Sequence, residues 1–244
     1  MVLYKQVKYY CFYISFILDL YHTYHTMYEV KETGGAKIGM AHASKPFAVL
    51  IINKNKLELN ASVIGNLAFR PADIISIMPW SQAFGKGIQI RHSVSNYPGS
   101  IVFVTPNPVG LINQIDQTGF LTNRSPIPYD VDFEITTLQQ SGRFPIKTSA
   151  AIILVLLWNI LIISNFYIFF TGDKKGSPIG WGIFGAFGVF ILTAVLILIS
   201  EPFRELILKP GRKIEHVNRF LYFIILLCTI MLVAFSFVPA IPSH

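Results

Sequence analysis

Three long apolar stretches dominate the carboxyl-terminal part of the chain. Residues 149–170, 179–199 and 220–238 contain no charged side chain. A helix of about 20 residues is about 30 Å long, which is the thickness of the hydrocarbon core of a bilayer. Buried helices of soluble proteins rarely stay apolar on every face over such a length. The pattern therefore predicts a membrane region at 148–244 with three transmembrane helices.

Residues 34–120 show a different pattern, in which short apolar or alternating segments are separated by Gly, Pro, Asn and Ser. Alternation of apolar and polar residues is typical of a strand with one buried face, and breaks of this composition are typical of turns. The segments predicted as strands are 47–52, 56–60, 66–69, 74–78, 87–92 and 100–105. Together they predict a small antiparallel sheet or barrel.

A single helix is predicted to follow the last of these strands. Apolar residues recur at helical spacing from Leu111 to Ile115, Asn107 can cap the helix, and Pro108 suits its first position. Gly119 is a residue type that often ends a helix. Strands followed by one amphipathic helix predict an α+β domain in which the helix covers the sheet. About 85 residues are enough for one modest core.

Two further segments flank this domain. Residues 121–147 are rich in Pro, Ser, Thr and acidic residues and are expected to form a partly extended linker to the membrane. Residues 1–33 form an amino-terminal extension, whose apolar run at 9–18 is too short for a membrane span and is followed by no small-residue cleavage site. Two interpretations stay open for the extension. It is an aromatic segment at the membrane interface, or the start codon has been assigned too far upstream of Met27 or Met40.

Basic residues predict the orientation of the helices. The loop at 201–219 has five basic residues, whereas the turn between the first two spans has two, Lys174 and Lys175. The five are Arg204, Lys209, Arg212, Lys213 and Arg219. Arg143 and Lys147 precede the first span on the same side as this loop, which gives seven against two. The basic-rich side of a membrane protein stays cytoplasmic, so the amino-terminal domain is predicted inside and the carboxyl terminus outside.

Composition narrows the class of protein. The chain is 52% hydrophobic and only 14% charged, which is too apolar for an ordinary soluble protein. The net charge of +7 includes no run of Lys and Arg interleaved with aromatic residues, so no nucleic-acid partner is predicted. The two cysteines, Cys11 and Cys228, form neither a metal-binding spacing nor a disulfide framework. No catalytic motif, cofactor or metal site is recognised, and the chain is predicted not to be an enzyme.

Several segments of the predicted sheet domain resemble a known group of proteins. They are Gly34-Gly35, 43–48 (ASKPFA), 69–77 (FRPADIISI), 85–92 (GKGIQIRH), Tyr97-Pro98, 101–103 (IVF) and Gly119-Phe120. As a series they resemble uncharacterised bacterial membrane proteins with a pleckstrin-homology-like domain. The resemblance covers about a third of the chain. It implies a bent antiparallel sheet capped by a carboxyl-terminal helix and a location in the bacterial plasma (inner) membrane. It implies no activity, because fold is not function.

Four basic or imidazole side chains are candidates for contact with anionic lipid head groups or a partner. They are Arg70, Lys86, Arg91 and His92. Each cation near the surface of an anionic membrane is worth about 1 kcal/mol. Arg91 alternates with Ile88 and Ile90 and is therefore expected on the outer face of the sheet. The alternative interpretation is ordinary solvated charge, which also prevents sheet-to-sheet association.

Two features of the membrane region suggest further contacts. Apolar and charged residues interleave before Pro210, so the loop at 201–219 is predicted either to include a short helix in the head-group region or only to set topology. Gly182 and Ala186 have the small-xxx-small spacing of close helix packing, within the protein or between copies. The oligomeric state is left open.

The sequence therefore favours a membrane-anchored interaction or sensing module. Its cytoplasmic domain is expected to bind lipid head groups or a membrane protein partner, and its helices to anchor it. No Asp, Glu, Lys, Arg or His falls inside the three spans, which argues against a proton-coupled transporter. The alternative is a regulatory or accessory subunit of a transporter or channel.

Overall fold

The computed structural model describes residues 29–82, 85–171 and 180–237, and these form seven strands followed by six α-helices. The strands are β1 Val30–Ile38, β2 Ala41–Ile52, β3 Leu57–Asn60, β4 Asn66–Phe69, β5 Ile74–Gln82, β6 Gly85–His92 and β7 Ile101–Val104. The helices are α1 Pro108–Gln117, α2 Tyr129–Gln140, α3 Thr148–Thr171, α4 Trp181–Ile199, α5 Glu201–Ile207 and α6 Asn218–Ser236. The predicted fold class is confirmed.

The strands form one antiparallel sheet in the order β4-β3-β2-β1-β7-β6-β5, curled into a half-barrel. All six predicted strand segments are present. Strand β1 is not predicted from the sequence, because it contains two adjacent glycines, a residue type uncommon in strands. A Cβ atom added to Gly34 would lie 2.2 Å from the carbonyl oxygen of Val104. The register of β1 against β2 also shifts between Gly34 and Ala36, so this glycine permits a close approach of the central strands.

The core of the domain lies between the concave face of the sheet and α1. Leu111 and Ile115 of α1 are buried there with Phe103 and Phe120. The predicted helix boundaries are confirmed. The N–H of Gly110 donates to Oδ1 of Asn107 at 3.0 Å, Pro108 begins the helix, and Gly119 has a φ of +70° just beyond it.

The prediction of a partly extended linker at 121–147 is wrong for its middle, which forms helix α2. Ile135 and Leu138 of α2 are fully buried and pack with Ala68 of β4. The helix therefore covers one edge of the sheet, which would otherwise leave backbone groups unpaired. Its signals are Asp130 and Asp132 in the first turn and the helical spacing of its apolar residues.

The three predicted spans correspond to α3, α4 and α6, which are long and apolar enough to cross a membrane. Helix α4 packs against both α3 and α6. The predicted short helix in the long loop is also present, as α5. The amino-terminal extension before residue 29, the turn with Lys174 and Lys175, and the chain after residue 237 lie outside the described residues.

Candidate functional site

A largely buried polar cluster joins the sheet domain to the loop between α4 and α6. We call this cluster the polar joint. It consists of Lys56, Glu58, Asn66, Glu134, Arg212 and His216. Three of these residues come from β3 and β4 or the turn before them, one from α2, and two from the loop. The joint therefore connects parts of the chain that are far apart in sequence.

Arg212 reaches from the loop into the sheet domain and is only 7% exposed. One terminal nitrogen donates to the carbonyl oxygen of Asn66 at 3.0 Å and to its side-chain oxygen. The other donates to Oγ of Ser141 at 3.1 Å and to the carbonyl oxygen of Gly142. Burial lowers the pKa of the Arg212 guanidinium, against the opposing effects of Tyr97 and Glu58. Neutral oxygen atoms thus provide the contacts that hold this buried cation.

Glu58 of β3 is the acidic centre of the joint. Its Oε2 accepts from Nζ of Lys56 at 2.9 Å, and its Oε1 accepts from Nδ2 of Asn66 and Nε2 of His216, both at 3.2 Å. Burial alone would raise the pKa of Glu58, but the hydrogen bond from His216 and the charge of Lys56 hold it well below its usual range. The carboxylate is therefore ionised at neutral pH.

His216 is oriented by the loop itself. Its Nδ1 accepts from the backbone N–H of Lys213 at 3.0 Å. Because Nδ1 is an acceptor, the proton of the neutral ring lies on Nε2, which is the atom that faces Glu58. The side chain of His216 is only 5% exposed to solvent. The loop and the sheet domain therefore meet through an imidazole in a fixed orientation.

Glu134 extends the joint to α2. It pairs with Lys56 at 3.2 Å and with Lys213 at 2.9 Å. Burial alone would raise the pKa of Glu134, but Lys213 and Lys56 lower it. The contacts of this one carboxylate connect β3, α2 and the loop. The side chain of Lys213 is 61% exposed, so its ion pair is the solvated one.

The remaining basic residues of the loop also make specific contacts. Arg204 donates to the carbonyl oxygens of Ile197 and Leu198, both at 3.1 Å, where α4 ends. Lys209 donates to Ser141 O at 2.8 Å. In the first turn of α6, Arg219 donates to Pro46 O at 2.9 Å.

The five basic residues predicted from sequence to set topology thus all contact neighbouring parts of the protein. Arg212, Lys213 and Arg219 contact the sheet domain or α2 directly. Lys209 contacts Ser141 just after α2, and Arg204 contacts the end of α4. These contacts are not visible in the sequence, because no local pattern pairs Arg212 with Asn66.

The candidate lipid-contacting residues are only partly brought together. Arg70 pairs with Asp132 and donates to Thr136 and Gln139, so its guanidinium holds α2 against the end of β4. Lys86 and Arg91 are both exposed, as expected for Arg91. They lie near opposite ends of β6, about 16 Å apart along the strand.

His92 lies beside Arg91 but turns inward. Its Nε2 is 3.0 Å from Pro98 O, and its ring packs against that of Phe69 at 5.1 Å between centroids. The structure therefore leaves Arg91 and Lys86 as the two solvent-facing cations of the predicted set.

The small residues of α4 lie against α3. A Cβ atom added to Gly182 would lie 2.4 Å from Leu161 O and 2.7 Å from Cβ of Asn165. Ala186, one turn further along, is fully buried. This face of α4 is therefore used within the protein, where the backbones of two membrane helices approach closely.

Within the described parts of the chain, no group of three or more His, Cys, Asp or Glu side chains could hold a metal ion. Comparison of the whole chain with protein-family models, with curated protein sequences and with solved structures yields no match.

Proposed function

We propose that the protein is a membrane-anchored interaction module. Its half-barrel domain, similar to a pleckstrin-homology domain, recognises lipid head groups or a protein partner at the membrane surface and performs no chemistry of its own. The observation that carries the proposal is the polar joint, which attaches the domain to the loop between two membrane helices. A domain that only needed a tether would require a linker and no buried contacts.

The attachment supports presentation of the domain in one orientation. Arg212, Glu58 and His216 are all buried, and buried hydrogen bonds to charged groups are costly to break. The backbone of the linker also pairs with the loop, with Lys209 N donating to Pro145 O and Lys147 N to Ile207 O, both at 2.9 Å. The surfaces of the domain are therefore held at fixed heights above the membrane.

Arg91 supports an anionic lipid or partner surface. Its neighbour His92 contacts Pro98, and Pro98 packs beside Gly39, which lies next to Arg143. Arg143 also donates to Ile38 O at 2.9 Å. This chain of contacts brings the Arg91 end of β6 towards the segment that enters α3. Arg91 is thus the solvent-facing cation better placed to reach a head group, while Lys86 lies at the other end of the strand.

The orientation belongs to the same proposal. The loop that contacts the sheet domain is the one with five basic residues, and such loops stay cytoplasmic. The domain then lies in the cytoplasm of a bacterial cell, against the inner membrane, with the carboxyl terminus outside.

The test uses the full-length protein in nanodiscs, because Arg212 and α2 complete the sheet domain. Hydrogen exchange of β6 is measured in discs of anionic or zwitterionic lipid. A lipid-recognising domain shows slower exchange near Arg91 in anionic discs, and Arg91→Gln abolishes the difference. Lys86→Gln is the matched control on the same strand.

Crosslinking and pull-down from the native membrane separates the remaining outcomes. Capture of a protein that depends on Arg91 or Lys86 supports partner recognition. Capture of a larger polytopic protein independent of both residues supports the alternative, an accessory subunit of a transporter or channel. The interaction module would be refuted if hydrogen exchange did not depend on the lipid and no partner were captured.

A further inference from the structure

An apolar trough of about 480 Å³ lies between α3 and α6. Leu154 and Leu157 of α3 form one wall, and Leu221 and Ile224 of α6 form the other. Ala194 of α4 lies at the floor, and Phe203 of α5 helps to close the end nearest the sheet domain. The lining is apolar except for Ser149 and Thr193, so the trough does not offer water enough polar partners.

The trough lies within the membrane-spanning helices but occupies only one half of the bilayer. Along α3 it extends from Ser149 to Leu157, which corresponds to about 12 Å of helix. One leaflet contributes about 15 Å of a hydrocarbon core about 30 Å thick. The trough therefore matches the depth of one leaflet, on the side of the sheet domain.

Helix α5 argues against another transmembrane helix as the occupant. A helix with side chains is about 10 Å across, and Phe203, Leu206 and Ile207 of α5 line the trough at the end beside the sheet domain. A helix running through the membrane at this position would therefore meet α5. An acyl chain is thinner and can end in the middle of the bilayer.

One basic side chain, that of Lys147, lies at the end of the trough nearest the sheet domain, between the lining residues Ile146 and Ser149. Lys147 immediately precedes α3, and its Nζ donates to Glu205 O at 2.6 Å. An ammonium group has three donors, so two remain for another acceptor at this height. The charged residues Glu201, Arg204 and Glu205 line a separate polar crevice, while Phe203, Leu206 and Ile207 of the same helix line the trough. Helix α5 thus marks the boundary between polar and apolar surroundings.

We propose that the trough binds one acyl chain of an anionic phospholipid from the leaflet beside the sheet domain, with the phosphate at Lys147. Bound there, the lipid fills the space between α3 and α6 and supports α5 from below. This site is separate from the Arg91 surface and does not depend on the function proposed for the sheet domain.

The test compares variants that fill the trough with variants on the outer surface of the same helices. Leu154→Trp and Ile224→Trp add bulk from opposite walls, so one remains informative if the other fails to fold. Ile152→Trp and Leu226→Trp are the controls, because these positions are 53% and 60% exposed and do not line the trough. Full-length protein is reconstituted with phosphatidylglycerol or phosphatidylcholine and then extracted in mild detergent. The lipid that remains bound is measured by native mass spectrometry.

The filling variants are expected to retain about tenfold less lipid than the controls. Excluding two methylene groups of the acyl chain from the trough already lowers the affinity for the lipid about tenfold. Lys147→Gln is expected to remove the preference for phosphatidylglycerol. Equal retention in filling and control variants would overturn the proposal, as would crosslinks through the trough to a second copy or a partner protein. If no interaction depends on Arg91 but the trough still retains lipid, the result counts against the proposed function and not against the lipid site.

Discussion

At the scale of single residues, the buried cation Arg212 explains most about how the two halves of the molecule are connected. Arginine is rarely buried without a counter-ion, and here neutral oxygens of Asn66, Ser141 and Gly142 accept its hydrogen bonds. Removing the side chain leaves those oxygens buried without a donor, which costs more than the loss of a solvated contact.

Arg212→Met is therefore expected to destabilise the protein by about 3 kcal/mol. The adjacent Lys213→Met removes an ion pair whose lysine is 61% exposed, and exposed pairs contribute about 1 kcal/mol or less. Unfolding of both variants in detergent, followed by circular dichroism or tryptophan fluorescence, measures the difference. Similar losses in the two variants would contradict the role assigned to Arg212.

The lowered pKa of Glu58 predicts how acid affects the polar joint. The folded state favours the ionised carboxylate, whereas an unfolded Glu has a pKa of about 4.3. The stabilisation is complete above that value and is lost as the pH falls through the lowered pKa of the folded state. Glu58→Gln should therefore lower the melting temperature most at pH 7 and less at about pH 3, where only part of the stabilisation has been lost. A difference between wild type and variant that stays constant over this range would show that the carboxylate charge is not what stabilises the joint.

At the scale of secondary-structure elements, those with strong local patterns can be predicted from the sequence. Elements that depend on tertiary contacts cannot. The spans and the capped helix α1 follow from uninterrupted apolar length and from Asn107, Pro108 and Gly119. Strand β1 was missed because its glycines serve a close approach to β7, which only the folded sheet reveals. Helix α2 was missed because its turn-forming flanks outweighed two buried residues, Ile135 and Leu138.

The same distinction applies to the candidate site. The basic loop was recognised from its composition, but its contacts with Asn66 and Glu134 depend on how β4 and α2 pack. Arg70 was grouped with Arg91 and Lys86 from proximity in sequence. The structure gives Arg70 a carboxylate partner on α2, a helix that was not predicted.

The contact between α3 and α4 predicts the effect of added bulk on α4. Gly182→Val places its new atoms against Leu161 O and Asn165, and overpacking of this kind costs about 1–3 kcal/mol. Gly188→Val on the same helix is the control, because nothing lies within 4 Å of its added Cβ. Thermal unfolding in detergent should show the loss in the first variant only. Equal melting temperatures would mean that α3 can move away from α4 without cost.

At the scale of the whole molecule, the sheet domain and the basic loop lie on the same side of the three helices. In the proposed topology with three spans, the carboxyl terminus is on the opposite side. A reporter fused after His244 is expected to be active only outside the cytoplasm, because seven basic residues favour the inner side and two the outer. Activity of a cytoplasmic reporter at that position would reverse the orientation while leaving the fold unchanged.

The distance in sequence between Asn66 and Arg212 has a consequence for biogenesis. The two residues are 146 positions apart, and α3 and α4 lie between them. Translation proceeds from the amino terminus, and domains generally begin to fold as they emerge. The half-barrel is thus synthesised well before Arg212, which can reach Asn66 only after the first two spans have been translated. Failure of those spans to insert would leave Asn66 and Glu58 exposed on a nascent domain, where cellular quality control could distinguish it from the finished protein.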